Sequence, residues 1–108
     1  MPTMTKEQQE KISKLQLLEQ SRQTLNVQKQ NFQLQLMELE SAIKELKSTR
    51  ESYRIVGNVM IKKEPDELLR ELEEEKQRLE LRIKSLDKQE ETIKNKMKSL
   101  QEEIMKSS

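Results

Sequence analysis

A mainly α fold is predicted, in which two long helices form an antiparallel coiled-coil hairpin and one short β-hairpin joins them. Charged residues make up 38% of the chain and hydrophobic residues only 31%, with one Phe, one Tyr and no Trp. That composition is typical of coiled coils rather than of compact cores. Apolar residues also recur every seven residues in both halves of the chain. The only glycine, Gly57, lies between two short β-prone runs, which indicates a turn between strands.

The first helix is predicted over residues 5–52. Thr5 and Gln8 have the spacing of a capping box, which satisfies free backbone amides at a helix start. Apolar residues fill each d position from Leu18 to Tyr53, whereas cations occupy several a positions. Polar a residues lower stability but restrict the registers that a coiled coil tolerates. The d row is Leu18, Leu25, Phe32, Leu39, Leu46 and Tyr53, and the a row is Leu15, Arg22, Lys29, Leu36, Ile43 and Arg50.

The β-hairpin is predicted over residues 53–63, with Gly57-Asn58 as its two-residue turn. Glycine at the first turn position supplies the positive φ that a type II′ turn requires. This turn would place Val56 opposite Val59, and both ribbon faces would then carry apolar side chains. At about 1.5–3 kcal/mol per buried side chain, six such residues involve roughly 9–18 kcal/mol, so we expect another molecule to cover them. One face has Val56, Val59 and Ile61, and the other has Tyr53, Ile55 and Met60.

The second helix is predicted over residues 64–106, with Pro65 at its first position and acidic residues in its first turn. Its d residues mirror those of the first helix about residue 59, so that Leu46 meets Leu72 and Leu18 meets Leu100. This symmetry predicts a chain that folds back at the hairpin, with Lys29 opposite Glu90. The d row is Leu72, Leu79, Leu86, Ile93 and Leu100, and the a row is Leu69, Lys76, Ile83, Glu90, Met97 and Ile104.

Several apolar residues fall outside the a and d rows. Isolated exposed apolar residues are ordinary on protein surfaces, and we expect these to be exposed. The alternative is that they line a cavity or form a second contact. They are Leu17, Val27, Leu34, Met37, Leu68 and Leu81.

The composition argues against an enzyme and against any metal or cofactor site. The chain has no His and no Cys, which removes the commonest metal ligands and nucleophiles, and its single Gly excludes a glycine-rich phosphate loop. A net charge of +1 with both signs interspersed does not indicate a nucleic-acid partner or a membrane surface. With no apolar run of membrane-spanning length and no signal-peptide core at the amino terminus, we expect a cytoplasmic protein.

The central segment, read with the equal helices around it, resembles a known family. The run Tyr53-Arg-x-Val-Gly-Asn-Val-x-Ile61 between two long charged helices is similar to that of prefoldin beta subunits of the archaeal type. A single hairpin, rather than two, points to the beta rather than the alpha class. The resemblance covers nearly the whole chain, so residues 1–108 are expected to form one prefoldin-like domain.

This resemblance implies an assembly and an activity. Family members form hexamers of two alpha and four beta subunits, whose hairpins join into a β-barrel body. Their coiled-coil tips hold unfolded client proteins without ATP and deliver them to a group II chaperonin. The implied assembly residues are Tyr53, Ile55, Val56, Gly57, Asn58, Val59, Met60 and Ile61. The implied client-binding residues are Met4, Ile12, Leu15, Met97, Leu100, Ile104 and Met105.

One alternative of a different class remains open at this point. The same helices could belong to a coiled-coil scaffold or adaptor with one fixed protein partner and no holdase activity. The hairpin favours the chaperone subunit, because a simple scaffold does not need a ribbon that is apolar on both faces.

Overall fold

The structure is a computed structural model that describes residues 4–106. Helix α1 spans Lys6–Leu46, strand β1 Ser52–Val56, strand β2 Val59–Lys63 and helix α2 Pro65–Lys106. The predicted fold class is confirmed: two long helices flank one antiparallel pair of strands. Neither helix, over the described residues, contains an apolar stretch long enough to cross a membrane.

Both helices begin where the sequence predicts a cap. The backbone amide of Gln8 donates to Thr5 Oγ1 at 3.1 Å, and the amide of Thr5 donates to Gln8 Oε1 at 3.0 Å, which is the reciprocal pattern of a capping box. At α2, the amide of Leu68 donates to the carbonyl of Glu64 at 2.9 Å. Pro65 is therefore the first helical residue, where its missing amide hydrogen costs nothing.

The first helix ends earlier than predicted, at Leu46 rather than at residue 52. The hydroxyl groups of Ser48 and Thr49 donate to the carbonyl of Glu45 at 3.3 and 2.6 Å, and their backbone amides close two tight turns. These contacts satisfy carbonyls of the last turn and end the helix, as short hydroxyl side chains often do. Arg50 and Tyr53 therefore do not continue the a and d rows; Tyr53 lies in β1.

The chain divides into two compact units, and the larger core lies in the unit formed by residues 31–84. There Ile43 packs with Leu68 and Leu72 in a buried cluster, and Leu79 is also buried. Partly buried neighbours surround the cluster on both helices, as the mirrored d rows require. These neighbours are Leu39, Ala42, Leu46 and Leu69.

One of the residues expected to be exposed is instead part of this core. Leu68 is only 6% exposed, so the expectation for this position was wrong. It lies one helical turn before Leu72, and residues four apart share one face of a helix. Both leucines therefore face Ile43. The other five residues outside the seam, namely Leu17, Val27, Leu34, Met37 and Leu81, are exposed.

The other unit contains residues 4–30 and 85–106 of the described chain. Its seam is less buried: Leu86 is buried, whereas Leu18, Leu25 and Ile93 are only half-buried. The predicted pairing of Lys29 with Glu90 is confirmed, because Lys29 Nζ lies 3.0 Å from Glu90 Oε2.

Lys29 has a second acidic partner in the same unit. Its Nζ atom lies 2.9 Å from Asp87 Oδ1. Hydrogen bonds to Asp87 and Glu90 raise the pKa of Lys29, so its charge is held at this seam position. The antiparallel alignment of the two helical segments follows from these pairs together with the ion pair between Lys11 and Glu103 at 3.7 Å.

Candidate assembly and client-binding surfaces

The β-hairpin has the register that the sequence predicts. Val56 pairs with Val59, Ile55 with Met60, and Arg54 with Ile61. Because directly opposite residues of an antiparallel pair lie on the same face, the two apolar sets fall on opposite faces as expected. We call the side with Ser52, Arg54, Val56, Val59, Ile61 and Lys63 the inner face, since its cations contact α2, and the side with Tyr53, Ile55, Met60 and Lys62 the outer face.

The turn at Gly57-Asn58 depends on glycine. Gly57 has φ of 60°, and among the described residues it alone has a positive φ. A positive φ at the first turn residue followed by a negative one at Asn58 matches the type II′ turn and excludes type I′. A Cβ atom at Gly57 would meet no other atom within 4 Å, so the requirement for glycine comes from the backbone angle and not from lack of space.

The apolar side chains of the hairpin are uncovered in this single chain. Their exposed fractions run from 42% for Ile61 to 68% for Ile55, and Tyr53, Val56, Val59 and Met60 lie between those values. Three apolar residues with this exposure on each face of one short ribbon are unusual for a free surface and typical of an interaction site. The ribbon also has two unpaired edges, which are ready to pair with further strands.

Polar contacts hold the base of the hairpin. Buried Ser52 donates its hydroxyl to the carbonyl of Lys63 at 2.5 Å, which ties the start of β1 to the end of β2. On the inner face, Arg54 contacts Glu71 at 3.2 Å and Glu75 at 2.5 Å. Lys63 forms an ion pair with the same Glu71.

The electrostatics of this group favour the charged forms of Arg54 and Glu71. The hydrogen bond to Glu75 is the main cause that raises the pKa of Arg54. The hydrogen bond from Lys63, with the nearby Arg54 guanidinium, lowers the pKa of Glu71. Four side chains from two strands and one helix are thus held as a compact charge network.

Sequence reasoning did not single out this network, although two signals for it are present. The hairpin register places Arg54 and Lys63 on one face, and Glu67, Glu71 and Glu75 follow at intervals of four residues on α2. Those intervals put the three carboxylates on one stripe of the helix. Only the structure shows that this stripe faces the ribbon.

The residues that the resemblance implies for client binding occupy both helices of the unit formed by 4–30 and 85–106. Met4 and Met105 are mostly exposed, at 52% and 75%. The other five are half-buried along the seam, with part of each side chain in contact with solvent. They are Ile12, Leu15, Met97, Leu100 and Ile104.

A shallow groove opens beside these residues. Its volume is about 470 Å³, and Leu18 and Leu100 form its apolar part. Lys14, Lys96, Asn95 and Ser99 complete its lining. The sequence did not predict a binding role for Leu18, Lys14 or Lys96. For Leu18 the reason is that its heptad position assigns it to the seam. The groove offers apolar contact between flexible cationic side chains, which keep the surface soluble.

Nothing in the described part of the chain indicates a metal centre. Across residues 4–106, no three acidic side chains come together in a way that could hold an ion. The described residues present two candidate contact surfaces: an uncovered apolar ribbon and a mixed apolar and charged helical end.

Such a fold and such surfaces define a helical-hairpin subunit of a larger protein assembly, and comparison with known proteins identifies the family. The model of the family described as "Prefoldin subunit" matches residues 9–107. The prefoldin subunit beta of Methanospirillum hungatei is 34% identical over 107 residues, covering 96% of this chain and 89% of that protein. The corresponding protein of Methanothrix thermoacetophila is 36% identical over 102 residues, covering 92% and 85%.

A solved structure agrees with this result. The crystal structure of the prefoldin beta subunit from Thermococcus strain KS-1 superposes with a TM-score of 0.92 at 30% identity, covering 99% of this chain and 96% of that one. The chain belongs to the prefoldin family, and its relatives place it with the beta subunits. Membership in this family implies assembly with other prefoldin subunits.

Proposed function

We propose that this chain is a subunit of an ATP-independent chaperone that assembles through its hairpin and holds non-native polypeptides. The assembly is a hexamer of two alpha and four beta subunits in the cytoplasm, and it delivers its clients to a group II chaperonin. No catalytic step is part of this function. The observation that carries the proposal is the uncovered hairpin, whose six apolar side chains are between 42% and 68% exposed in the single chain.

The hairpin suits assembly for two physical reasons. Burial of its apolar side chains would favour association, because each is worth about 1.5–3 kcal/mol when fully covered. Pairing with further strands would also satisfy the free edges of the ribbon, and a closed barrel removes such edges altogether. Other prefoldin subunits can provide both kinds of contact.

The helical ends suit client holding. Met4 and Met105 expose most of their surface, and methionine adapts to many partner shapes because its side chain is flexible and polarizable. Lys11 lies between Glu7 and Glu103 at 3.6 and 3.7 Å, so charge surrounds the apolar surface. Each contact with a client is then weak, and several subunits binding together raise the total affinity through effective concentration.

A truncation tests the holdase function. We expect removal of residues 1–11 and 101–108 to leave the assembly intact, because it removes nothing from the unit of residues 31–84 that contains the hairpin. The same truncation should abolish suppression of aggregation for two unrelated denatured client proteins, measured by light scattering. ATP should change nothing in the intact assembly.

Point variants provide a matched control. Met4→Ser with Met105→Ser should weaken suppression, whereas Leu17→Ser with Val27→Ser should not, although all four residues are exposed and lie in the same unit. If the truncated assembly suppresses client aggregation as well as the intact one does, the client-binding surface lies elsewhere on the chain. Failure of the intact assembly to protect either client would favour the scaffold or adaptor alternative.

A further inference from the structure

The inner face of the hairpin carries one cation on each strand. Arg54 lies on β1 and Lys63 on β2, and the register Arg54↔Ile61 and Ser52↔Lys63 puts both on the same face. Opposite them, α2 presents Glu67, Glu71 and Glu75. These carboxylates are four residues apart, which spaces them by about 6 Å along the helix.

Glu71 is the centre of this arrangement because it contacts both strands at once. Its Oε2 atom lies 3.2 Å from the guanidinium of Arg54, and its Oε1 atom accepts from Lys63 Nζ. Glu75 holds the second guanidinium nitrogen of Arg54 at 2.5 Å, and Glu67 lies 3.9 Å from Lys63. One contact would allow the ribbon to pivot on α2. Contacts to two strands from successive turns of one helix fix its direction.

Apolar packing does not provide this restraint. A two-stranded hairpin is marginally stable in water, and the apolar side chains of this one are exposed on both faces. The side chains of Arg54, Lys63, Glu71 and Glu75 are, in contrast, only 25–33% exposed. Partly buried ion pairs are screened less by salt than surface pairs. Ion pairs that share a carboxylate form a network, and networks contribute more to stability than isolated pairs do.

We propose that Arg54, Lys63, Glu71 and Glu75 form a clasp that holds the hairpin of the free subunit in the orientation in which partner subunits bind it. The role of the clasp in assembly rests on the proposed function, in which the hairpin is the assembly element. Its physical advantage is preorganisation: a strand pair that is already ordered does not lose further conformational entropy on association. These four are positioning residues, since they act through the apolar side chains that contact the partner.

The first measurement concerns the free chain and does not depend on assembly. The sequence has no cysteine, so Asn58→Cys and Arg78→Cys provide two unique sites for spin labels, both in the unit of residues 31–84. We expect a narrow distance distribution in the parent chain and a clearly broader one after Glu71→Gln with Glu75→Gln. Glu73→Gln with Glu74→Gln is the matched control, because these substitutions remove the same charge from exposed positions of the same helix.

The second measurement is association with an alpha-class prefoldin subunit. Glu71→Gln with Glu75→Gln should weaken the apparent affinity about tenfold or more, the size expected when long side chains and a ribbon must be ordered on binding. Circular dichroism should show unchanged helix content. The control pair should match the parent in both respects.

A charge exchange separates orientation from net charge. Glu71→Arg with Glu75→Arg should weaken association further, because these arginines repel Arg54 and Lys63. Adding Arg54→Glu and Lys63→Glu should restore both the narrow distribution and most of the affinity.

Two results would overturn the clasp. One is a distance distribution in the Glu71→Gln, Glu75→Gln chain as narrow as in the control. The other is a broadened distribution without loss of affinity, which would remove its role in assembly. If Val59→Asp with Ile61→Asp leaves the assembly intact, the proposed assembly role of the hairpin fails, whereas the distance measurement still decides whether the clasp exists.

Discussion

At the scale of single residues, the backbone conformation of Gly57 restricts which residues can replace it. Its φ of 60° is in the region that L-residues avoid, although the space around it is open. We expect Gly57→Ala to destabilise the hairpin by about 1–2 kcal/mol and to weaken association with partner subunits. Asn58→Ala is the control, because Asn58 does not need a positive φ, and association assays should show little change for it. Equal effects of the two substitutions would contradict the assigned turn.

Glu71 leads to a prediction about pH. Its pKa is lowered by Lys63 and Arg54, so its contribution is present above the unfolded-state pKa of a glutamate, about 4.3. That contribution is lost as the pH falls through the lower pKa of the folded state. We therefore expect the parent to be more stable than Glu71→Gln at neutral pH.

Thermal unfolding across the acidic range measures this difference. The stability of the parent should approach that of Glu71→Gln as the pH falls, because both then carry an uncharged group at position 71. Glu73→Gln should be indistinguishable from the parent throughout. A difference between the parent and Glu71→Gln that persists in strong acid would mean that shape, rather than charge, explains the effect.

At the scale of secondary-structure elements, the core of the hairpin-containing unit depends on a few buried leucines and one isoleucine. Leu72→Ala should cost about 2–5 kcal/mol of unfolding free energy, because Leu72 is buried against Ile43 and Leu68. Leu34→Ala, at an exposed position of the same unit, should change stability by less than about 0.5 kcal/mol. Thermal or chemical unfolding followed by circular dichroism compares them, and similar losses would contradict the assigned seam.

In the other unit, the ion pairs of Lys29 with Asp87 and Glu90 should affect stability in a different way. Lys29→Leu alone should destabilise the helix pair, because it leaves Asp87 and Glu90 without their shared cation. Lys29→Leu with Glu90→Leu should recover the loss and raise the melting temperature above that of the parent. A double variant less stable than the parent would show that the ion pair itself contributes net stability. If the double variant is more stable than the parent, as expected, the native charges are favoured for register rather than for strength.

At the scale of the whole molecule, the prediction concerns assembly. Val59→Asp with Ile61→Asp should leave the helix content of the chain nearly unchanged and dissolve the assembly to small species, because charged groups cannot be buried in an apolar interface without partners. Native mass spectrometry with an alpha-class subunit measures the result. Leu34→Asp with Met37→Asp is the control, since both residues are exposed and apolar but lie on α1. An unchanged native mass for the hairpin variant would exclude the hairpin as the assembly element.

Local chemistry decided much of what the sequence by itself determined. The capping box of Thr5 and Gln8, the helix start at Pro65, the turn at Gly57 and the pairing of Lys29 with Glu90 all follow from short-range geometry or from heptad spacing. The register of the strands follows from the length of the turn. The pairing of Lys29 with Glu90 spans 61 positions, yet the mirror symmetry of the two heptad patterns was enough to predict it.

One difference from the prediction is local: heptad spacing continued the first helix through Arg50, whereas the hydroxyl groups of Ser48 and Thr49 donate to the carbonyl of Glu45 and end it at Leu46. Tertiary structure alone decided the rest, because it depends on which surfaces meet. Leu68 is outside the a and d rows, yet the core covers it. The clasp between the hairpin and α2 joins residues up to 21 positions apart. Periodicity describes one helix at a time, and it cannot tell which carboxylates of that helix a strand will contact.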